Sequence, residues 1–364
     1  MRTPEPVFTI TYWGVTGTLT APLRPPEVTD KLVGAIKHLI EQGRWDDLRP
    51  GPDLDAIIRR RVEDEVPFHL RSGYGGNTTC VEVQTPDALL ILDCGSGFRE
   101  LGLALEARWR ADLSAADRRD AGPTSRAART AHVFVTHPHI DHIHGTPYFA
   151  PYYDPANRFI IWGPPDVIHS LGLLFNPDSE FSRRYFPPTF DQMKALEDFR
   201  PIQPGADFQI GLTRISTYAL CHPGGCLAYR LEHAGHVYVF ATDHEQLEVP
   251  DRGLAAFARG ADVLYTEGQY TLAEYEGRQS IGSNPPLVRI GWGHSTIEAC
   301  VVTAVAAGVQ ELHLGHRDPA RSDEDMARLE IFLQQLLRDE LHRVGRPEGS
   351  CRARIVHEGL AMRC

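Results

Sequence analysis

Residues 137–142 of this sequence read His137-Pro138-His139-Ile140-Asp141-His142 and directly follow an apolar segment that predicts a strand at 131–135. Three imidazoles and one carboxylate therefore lie within six positions. Zn²⁺ and similar cations prefer such nitrogen and oxygen ligands, and burying the same groups unpaired would be costly. A solvent-exposed histidine-rich loop is the alternative, but the preceding apolar strand favours an anchored metal site.

Three later segments also place a histidine or an aspartate just after a predicted strand. His222 follows the alternating segment 212–219, Asp243 follows the apolar segment 237–240, and His316 follows a short strand near 312. Sites in α/β proteins are commonly built at strand ends. Each residue taken alone is more often a core or surface residue than a ligand, but their shared position predicts that they complete the site.

Together these motifs resemble the metallo-β-lactamase superfamily of dinuclear metallohydrolases. The match is closer to the phosphodiesterase-like branch, which includes the tRNA 3′-processing endonuclease and the class II cyclic-nucleotide phosphodiesterases. Further segments that carry the resemblance are Tyr74 to Val83, Leu90 to Gly97, His222 to Cys226 and Gly291 to Thr296. The resemblance implies an α/β fold, a four-layer αββα sandwich of two central sheets covered by helices.

The resemblance also implies a role for each candidate residue. It predicts two divalent metal ions, of which Zn²⁺ fits the ligand types best and Mn²⁺ or Fe²⁺ could use the same set. The implied metal ligands are His137, His139 and His222 for one ion, Asp141, His142 and His316 for the other, and Asp243 between them. Such a pair of ions can share a hydroxide that acts as the nucleophile.

Catalytic roles fall on His294, Asp141 and Glu267. In the phosphodiesterase-like branch the histidine that matches His294 lies near the scissile phosphate, where it could protonate the leaving oxygen. Glu267 follows an apolar strand and is expected to orient His294, although relatives more usually carry aspartate there. The same segment could instead begin a helix, since Ser295 or Thr296 can cap a helix that starts at Ile297; both roles are compatible.

Several neighbouring residues are expected to support the site. Asn77, Gly224, Gly225 and Tyr270 are the candidate substrate-binding residues. Asn77 belongs to a tight Gly-Gly-Asn turn, the two glycines allow a close backbone approach, and Tyr270 is expected to line the pocket. Cys221 precedes a ligand, but His222 fits the pattern better, and the cysteine is predicted to be a small buried residue.

Composition agrees with a soluble enzyme. The chain has 364 residues with 42% hydrophobic content, and it contains no apolar run long enough to span a bilayer. Seven cysteines without paired spacing predict reduced thiols in a cytoplasmic protein. A net charge of −11 argues against non-specific attraction to nucleic acid and favours a small substrate. A homodimer is expected only because relatives are often dimers.

The chain is predicted to form a single domain, 1–364, with two departures from the family pattern. Residues 20–72 form an insertion with amphipathic helices at about Thr29 to Gln42 and Asp53 to Val66, which could cover the site, form a dimer surface or be a surface excursion. Residues 108–130 are rich in arginine, but interleaved aspartates favour a solvated helix and loop over a phosphate-binding tract.

Three functions are compatible with these motifs. The leading one is a phosphodiesterase acting on a cyclic nucleotide or another small phosphodiester, because His294 stands between Asp243 and His316. The second is hydrolysis of a lactone, thioester or β-lactam, for which His294 would be dispensable. The third is a metal-holding sensor without turnover, against which the complete ligand set argues.

Overall fold

The computed structural model describes residues 8–45, 48–117 and 129–364. Within them, fourteen strands form two mixed sheets of seven strands each. The first sheet contains β1 (Thr9–Gly14), β2 (Cys80–Gln84), β3 (Leu89–Leu92), β4 (Thr130–Phe134), β5 (Arg158–Gly163), β6 (Leu196–Pro201) and β14 (Ala361–Arg363). The second contains β7 (Asp207–Ile210), β8 (Thr213–Leu220), β9 (Cys226–His233), β10 (His236–Ala241), β11 (Val263–Glu267), β12 (Glu311–Gly315) and β13 (Arg352–Ile355).

The two sheets have matching topologies. The strand order is β14-β1-β2-β3-β4-β5-β6 in one sheet and β13-β12-β11-β10-β9-β8-β7 in the other. In each sheet three antiparallel pairings adjoin three parallel ones. Strands in parallel pairings usually have both faces covered, and in Leu89–Leu92 and Val263–Glu267 every residue is buried.

Helices cover the outer face of each sheet and also form the insertion. They are α1 (Pro25–Glu41), α2 (Leu54–Glu65), α3 (Phe68–Arg71), α4 (Gly97–Asp117), α5 (Ile140–Ile143), α6 (Pro165–Phe175), α7 (Glu180–Tyr185), α8 (Arg252–Phe257), α9 (Leu272–Tyr275), α10 (Ile297–Ala307) and α11 (Asp323–Arg343). Helix α10 begins at the Thr296 cap, whose side chain accepts a hydrogen bond from Ala299 N–H, and it ends at Gly308 with a left-handed φ of 71°.

Three hydrophobic clusters separate the layers. One lies between the sheets and is rich in aromatic residues, such as Tyr12, Phe134 and Phe240. The second packs α10 and α11 against the second sheet, and the third packs α4 and α6 against the first sheet. This is the four-layer αββα sandwich, so the fold prediction is confirmed.

The two departures from the family pattern have different outcomes. The insertion contains α1 and α2, within a few residues of the helices predicted there. The arginine-rich segment continues α4 to Asp117, and the rest of that prediction, residues 118–128, lies outside the described residues. No helix in the described part of the chain is long and apolar enough to cross a membrane.

Candidate metal centre

All the candidate ligands lie just beyond the carboxyl ends of strands, and both sheets contribute. The four residues of the histidine motif follow β4 of the first sheet. His222, Asp243 and His316 follow β8, β10 and β12 of the second sheet. The site therefore lies along one edge of the sandwich and spans both sheets.

Strained backbone conformations occur at three strand ends around the site. Asp93, Asp243 and His316 adopt left-handed φ values of 62°, 57° and 49°. Such conformations cost about 1 kcal/mol or more for a residue with a side chain and persist where the surrounding structure imposes them. Two of these three residues, Asp243 and His316, are candidate ligands that lie close to the histidine motif.

One group of ligand atoms comprises His137, His139, His222 and Asp243, all within 4.8 Å of one another. His139 Nδ1 lies 3.0 Å from His222 Nε2. Asp243 Oδ2 lies 3.5 Å from His137 Nε2 and 3.7 Å from His222 Nε2. Nitrogen and carboxylate oxygen atoms at these separations could surround a single cation.

A second group comprises Asp141, His142 and His316. His316 Nε2 lies 3.2 Å from His142 Nε2 and 3.3 Å from Asp141 Oδ2. Asp243 connects the two groups, because its Oδ2 is 3.4 Å from His142 Nε2 while its Oδ1 is 3.2 Å from His316 Nε2. Asp243 is therefore placed where a carboxylate could bridge two cations.

The arrangement of the donor atoms suits metal binding better than hydrogen bonding among themselves. His137 Nε2 is buried and has no hydrogen-bond partner, which is costly for a polar atom. Burial lowers the pKa of His137, His139 and His222, so these imidazoles are neutral and keep a lone pair for a cation.

The carboxylates carry the negative charge that such ions require. Burial alone would raise the pKa of Asp243, but His316 and His142 outweigh it and hold that pKa well below its usual range. Burial likewise opposes ionisation of Asp141, and His142 again lowers its pKa. Both groups are ionised at neutral pH.

Outer residues orient the ligand rings. Asp93 Oδ2 lies 2.8 Å from His142 Nδ1, and the Gly293 carbonyl oxygen lies 2.8 Å from His222 Nδ1. An Nδ1–H that donates to either oxygen leaves the Nε2 lone pair free for a metal ion that the group would hold, which is a common role of such partners. Thr136 in turn donates its backbone N–H to Asp93 over 2.8 Å.

Gly293 must be glycine, because a Cβ at this position would lie 2.2 Å from His222 Nδ1 and its φ is 89°. We expect Gly293→Ala to displace His222 and to lower metal affinity about 10–100-fold, the usual cost of losing an outer partner. Titration of the metal-free variant with Zn²⁺ measures this effect. Gly291→Ala is the matched control, because its φ is also positive but nothing lies within 4 Å of the added Cβ; equal affinity in the two variants would contradict the prediction.

His294 and Glu267 stand beside both ligand groups. His294 Nδ1 lies 2.7 Å from Glu267 Oε2, and the His294 ring centroid is 5.3 Å from those of His222 and His316. Glu267 Oε1 accepts the backbone N–H of His244 at 2.8 Å. These two residues, with Asp243 and His316, form a third potential ligand group, but the carboxylate oxygens of Glu267 are engaged by its neighbours. A positioned histidine–carboxylate pair is the better description.

The candidate substrate-binding residues have different environments. The Tyr270 ring is buried 6.1 Å from the His294 ring. Asn77 donates its backbone and side-chain N–H groups to Glu358, so both groups already have a partner within the protein. Gly224 and Gly225 form a turn with φ values of 86° and 89°, and the space where a Cβ would stand is open.

The prediction for Cys221 is wrong, because its side chain is exposed. His222 is buried, whereas the preceding residue lies on the surface of the turn.

Two supporting residues, Glu245 and Thr18, escaped the sequence analysis. Glu245 accepts the N–H groups of Gly291 and Gly293 at 2.7 and 2.9 Å and so holds the loop that precedes His294. Thr18 donates its N–H to Asp141 Oδ2 at 2.7 Å. The position of Glu245 two residues after Asp243 was a local signal for its role, but no local signal marks Thr18.

The arrangement is matched by a known family. The family model described as the beta-lactamase superfamily domain matches residues 90–317, which include every candidate ligand. The chain belongs to this superfamily. The superfamily prediction made from the motifs is therefore confirmed, whereas the insertion lies outside the matched residues. Among curated proteins, no sequence matches the chain.

Several solved structures have the same fold as this chain over almost its whole length. Unliganded yeast PDE1 is 14% identical with a TM-score of 0.58, covering 99% of this chain and 100% of that one. Zn²⁺-bound PqqB from Methylobacterium extorquens is 12% identical with a TM-score of 0.55, covering 98% and 100%. A diphosphatase of the PhnP family is 14% identical with a TM-score of 0.53, covering 98% and 96%. At this identity the similarities establish the fold alone.

Proposed function

We propose that this protein is a dinuclear metal-dependent phosphodiesterase that acts on a cyclic nucleotide or another small phosphodiester. The observation that carries the proposal is the His294–Glu267 pair, which lies beside both ligand groups without belonging to the histidine motif. Hydrolysis of an alkyl phosphodiester releases an alkoxide that needs a proton, and a histidine in this position can provide it. The diphosphatase among the structural neighbours is compatible with phosphoryl chemistry.

The ligand set would hold two divalent cations, with Asp243 between them. When bound, such ions supply Lewis acidity and neutralise charge on phosphoryl oxygens. Three carboxylates belong to the ligand groups, and Glu267 is paired with His294. The other two, Asp141 and Asp243, would offset only part of the charge of two divalent ions. The remaining positive charge favours an anionic substrate, which supports a phosphodiester over a neutral carbonyl compound.

The chain itself provides the proton donor and its orientation. Glu267 holds the Nδ1 side of His294 and thereby leaves Nε2 as the atom that can transfer a proton. Burial alone would lower the pKa of His294, but the Glu267 carboxylate outweighs it and raises that pKa above its ordinary value. The imidazolium is thus available at neutral pH as a general acid.

This pairing predicts a specific pH dependence. Only protonated His294 can act as the acid, so the rate with an alkoxide leaving group should hold below the raised pKa and fall as the pH rises through it. Glu267→Gln removes the charge that raises the pKa, and the fall in kcat should then begin at a lower pH. Profiles of kcat against pH, with metal content measured for each protein, test this; coincident alkaline limbs would count against the pairing.

Turnover of bis(p-nitrophenyl) phosphate tests the proposed function directly. Metal-free protein is supplied with Zn²⁺, Mn²⁺ or Fe²⁺, and release of nitrophenolate is followed. Metal-dependent release is the expected result and leads next to cyclic nucleotides. If protein shown to hold two ions is inactive with every metal, phosphodiester chemistry is excluded and carbonyl substrates become the better hypothesis.

A further inference from the structure

Helix α1 of the insertion directs its apolar face toward solvent. Five large aliphatic residues are between 42 and 61% exposed, and in this helix only Leu39 is buried. The exposed residues are Val28, Leu32, Val33, Ile36 and Ile40. A surface helix ordinarily turns its apolar stripe to the core, and exposed apolar surface on this scale usually marks an interaction site.

The opposite, polar side of α1 fixes the helix to the rest of the protein. Lys31 Nζ lies 2.7 Å from Asp323 Oδ2 at the start of α11 and donates to the carbonyl oxygens of Ser72, at 2.6 Å, and His69. His38 Nε2 contacts the Glu65 carbonyl oxygen at 3.1 Å. The Lys31–Asp323 pair is almost fully shielded from solvent. The apolar face is therefore held outward by specific contacts.

We propose that this face binds the same face of a second copy of the chain, forming a two-fold dimer through α1. The apolar row recurs at every fourth residue, which is the ridge that packs between helices. It is also symmetric about position 34, because Val28 and Ile40 are equidistant from that position, as are Leu32 and Ile36. A two-fold contact requires this kind of self-complementary surface.

The charges beside the row have the same symmetry. Asp30 and Lys37 are seven residues apart and so lie on one flank of the helix. In an antiparallel pair centred near position 34, Asp30 of each copy faces Lys37 of the other. Each Lys37 otherwise contacts only its own Glu41 in the described ion pairs, at 3.7 Å.

A second copy fits this face better than a membrane surface does. Helices that lie on membranes usually carry lysine and arginine on their polar face, whereas Lys31 of α1 is engaged with Asp323. The net charge of −11 also opposes approach to anionic lipid. The helix lies outside the residues matched by the family model, and the inference is independent of the proposed function.

Light scattering after size-exclusion chromatography tests the dimer in the full-length protein. At micromolar concentrations the wild-type mass is expected to be twice the chain mass of 40.6 kDa. Leu32→Asp combined with Ile36→Asp should reduce the mass to that of one chain with an unchanged circular dichroism spectrum, because both side chains are exposed. Ile331→Asp, at an equally exposed aliphatic position on α11, is the matched control and should remain dimeric.

Charge exchange distinguishes the proposed pairing from another interface. Asp30→Lys and Lys37→Asp should each raise the dimer dissociation constant about fivefold, and the two together should restore it. A wild-type protein that stays at 40.6 kDa, a dimer that survives the Leu32/Ile36 change, or failure of the combined charge exchange to restore affinity would overturn the proposal. Monomeric protein that floats with phosphatidylglycerol vesicles would overturn it in favour of a membrane surface.

Discussion

Replacing Asp243 with alanine is expected to remove bound metal and activity together. Its two carboxylate oxygens lie within 3.7 Å of ligand atoms in both groups, so its loss should exceed the roughly 100-fold penalty of losing an outer partner. Metal content by mass spectrometry and turnover of an aryl phosphodiester measure the two effects. Full metal occupancy in the variant would contradict the bridging position.

Two further variants separate this effect from simple damage to the fold. Asp243→Asn keeps the shape and tolerates the left-handed φ better than alanine does, but its side chain has one oxygen, so metal should still be lost. Asp251→Ala removes another carboxylate paired with a histidine, His244, at 2.8 Å. Because Asp251 caps α8, that change should cost about 1 kcal/mol of stability and leave the metal content unchanged.

Replacing His294 with alanine is expected to slow hydrolysis of an alkyl phosphodiester by about 10²–10⁴-fold. The metal content should be unchanged, because the Nδ1 side of His294 is engaged by Glu267 rather than by the ligand groups. With a nitrophenyl ester the loss should be much smaller, because nitrophenolate leaves without a proton. The measurement is kcat on both substrates for metal-loaded protein.

The comparison between the two leaving groups decides the role of His294. An equal loss on both substrates would indicate that the residue positions the substrate instead of donating a proton. His236→Ala is the matched control, since that histidine also contacts a carboxylate, Asp262, at 3.4 Å but lies outside the ligand groups; its rates should equal those of the wild type.

Much of the fold was predictable because its signals are local. The helix expected to start at Ile297 does start there, and α11 likewise begins directly after a capping serine. In both helices the apolar periodicity and the N-cap residue, Thr296 or Ser322, indicate the same helix start. The pairing of the two sheets required the superfamily resemblance, since strand order depends on contacts between distant segments.

The candidate site was predictable to the extent that its residues occur in compact motifs. The histidine motif and the segment around His294 are short and chemically dense, and the structure brings them together. Glu358, by contrast, holds Asn77 from 281 residues away, and no periodicity or spacing indicates such a contact. The exposure of Cys221 was missed for a similar reason, because it depends on the direction of a turn.

The division of the ligands between the two sheets has a consequence for stability. Cations held at once by the histidine motif of one sheet and by Asp243 and His316 of the other would act as cross-links across the central core. Ligand binding to the folded state alone adds to its stability by mass action. Heat resistance and metal affinity would then be one linked property, so a substitution that loosens the packing between the sheets, far from any ligand, would also make the protein release its metal more readily.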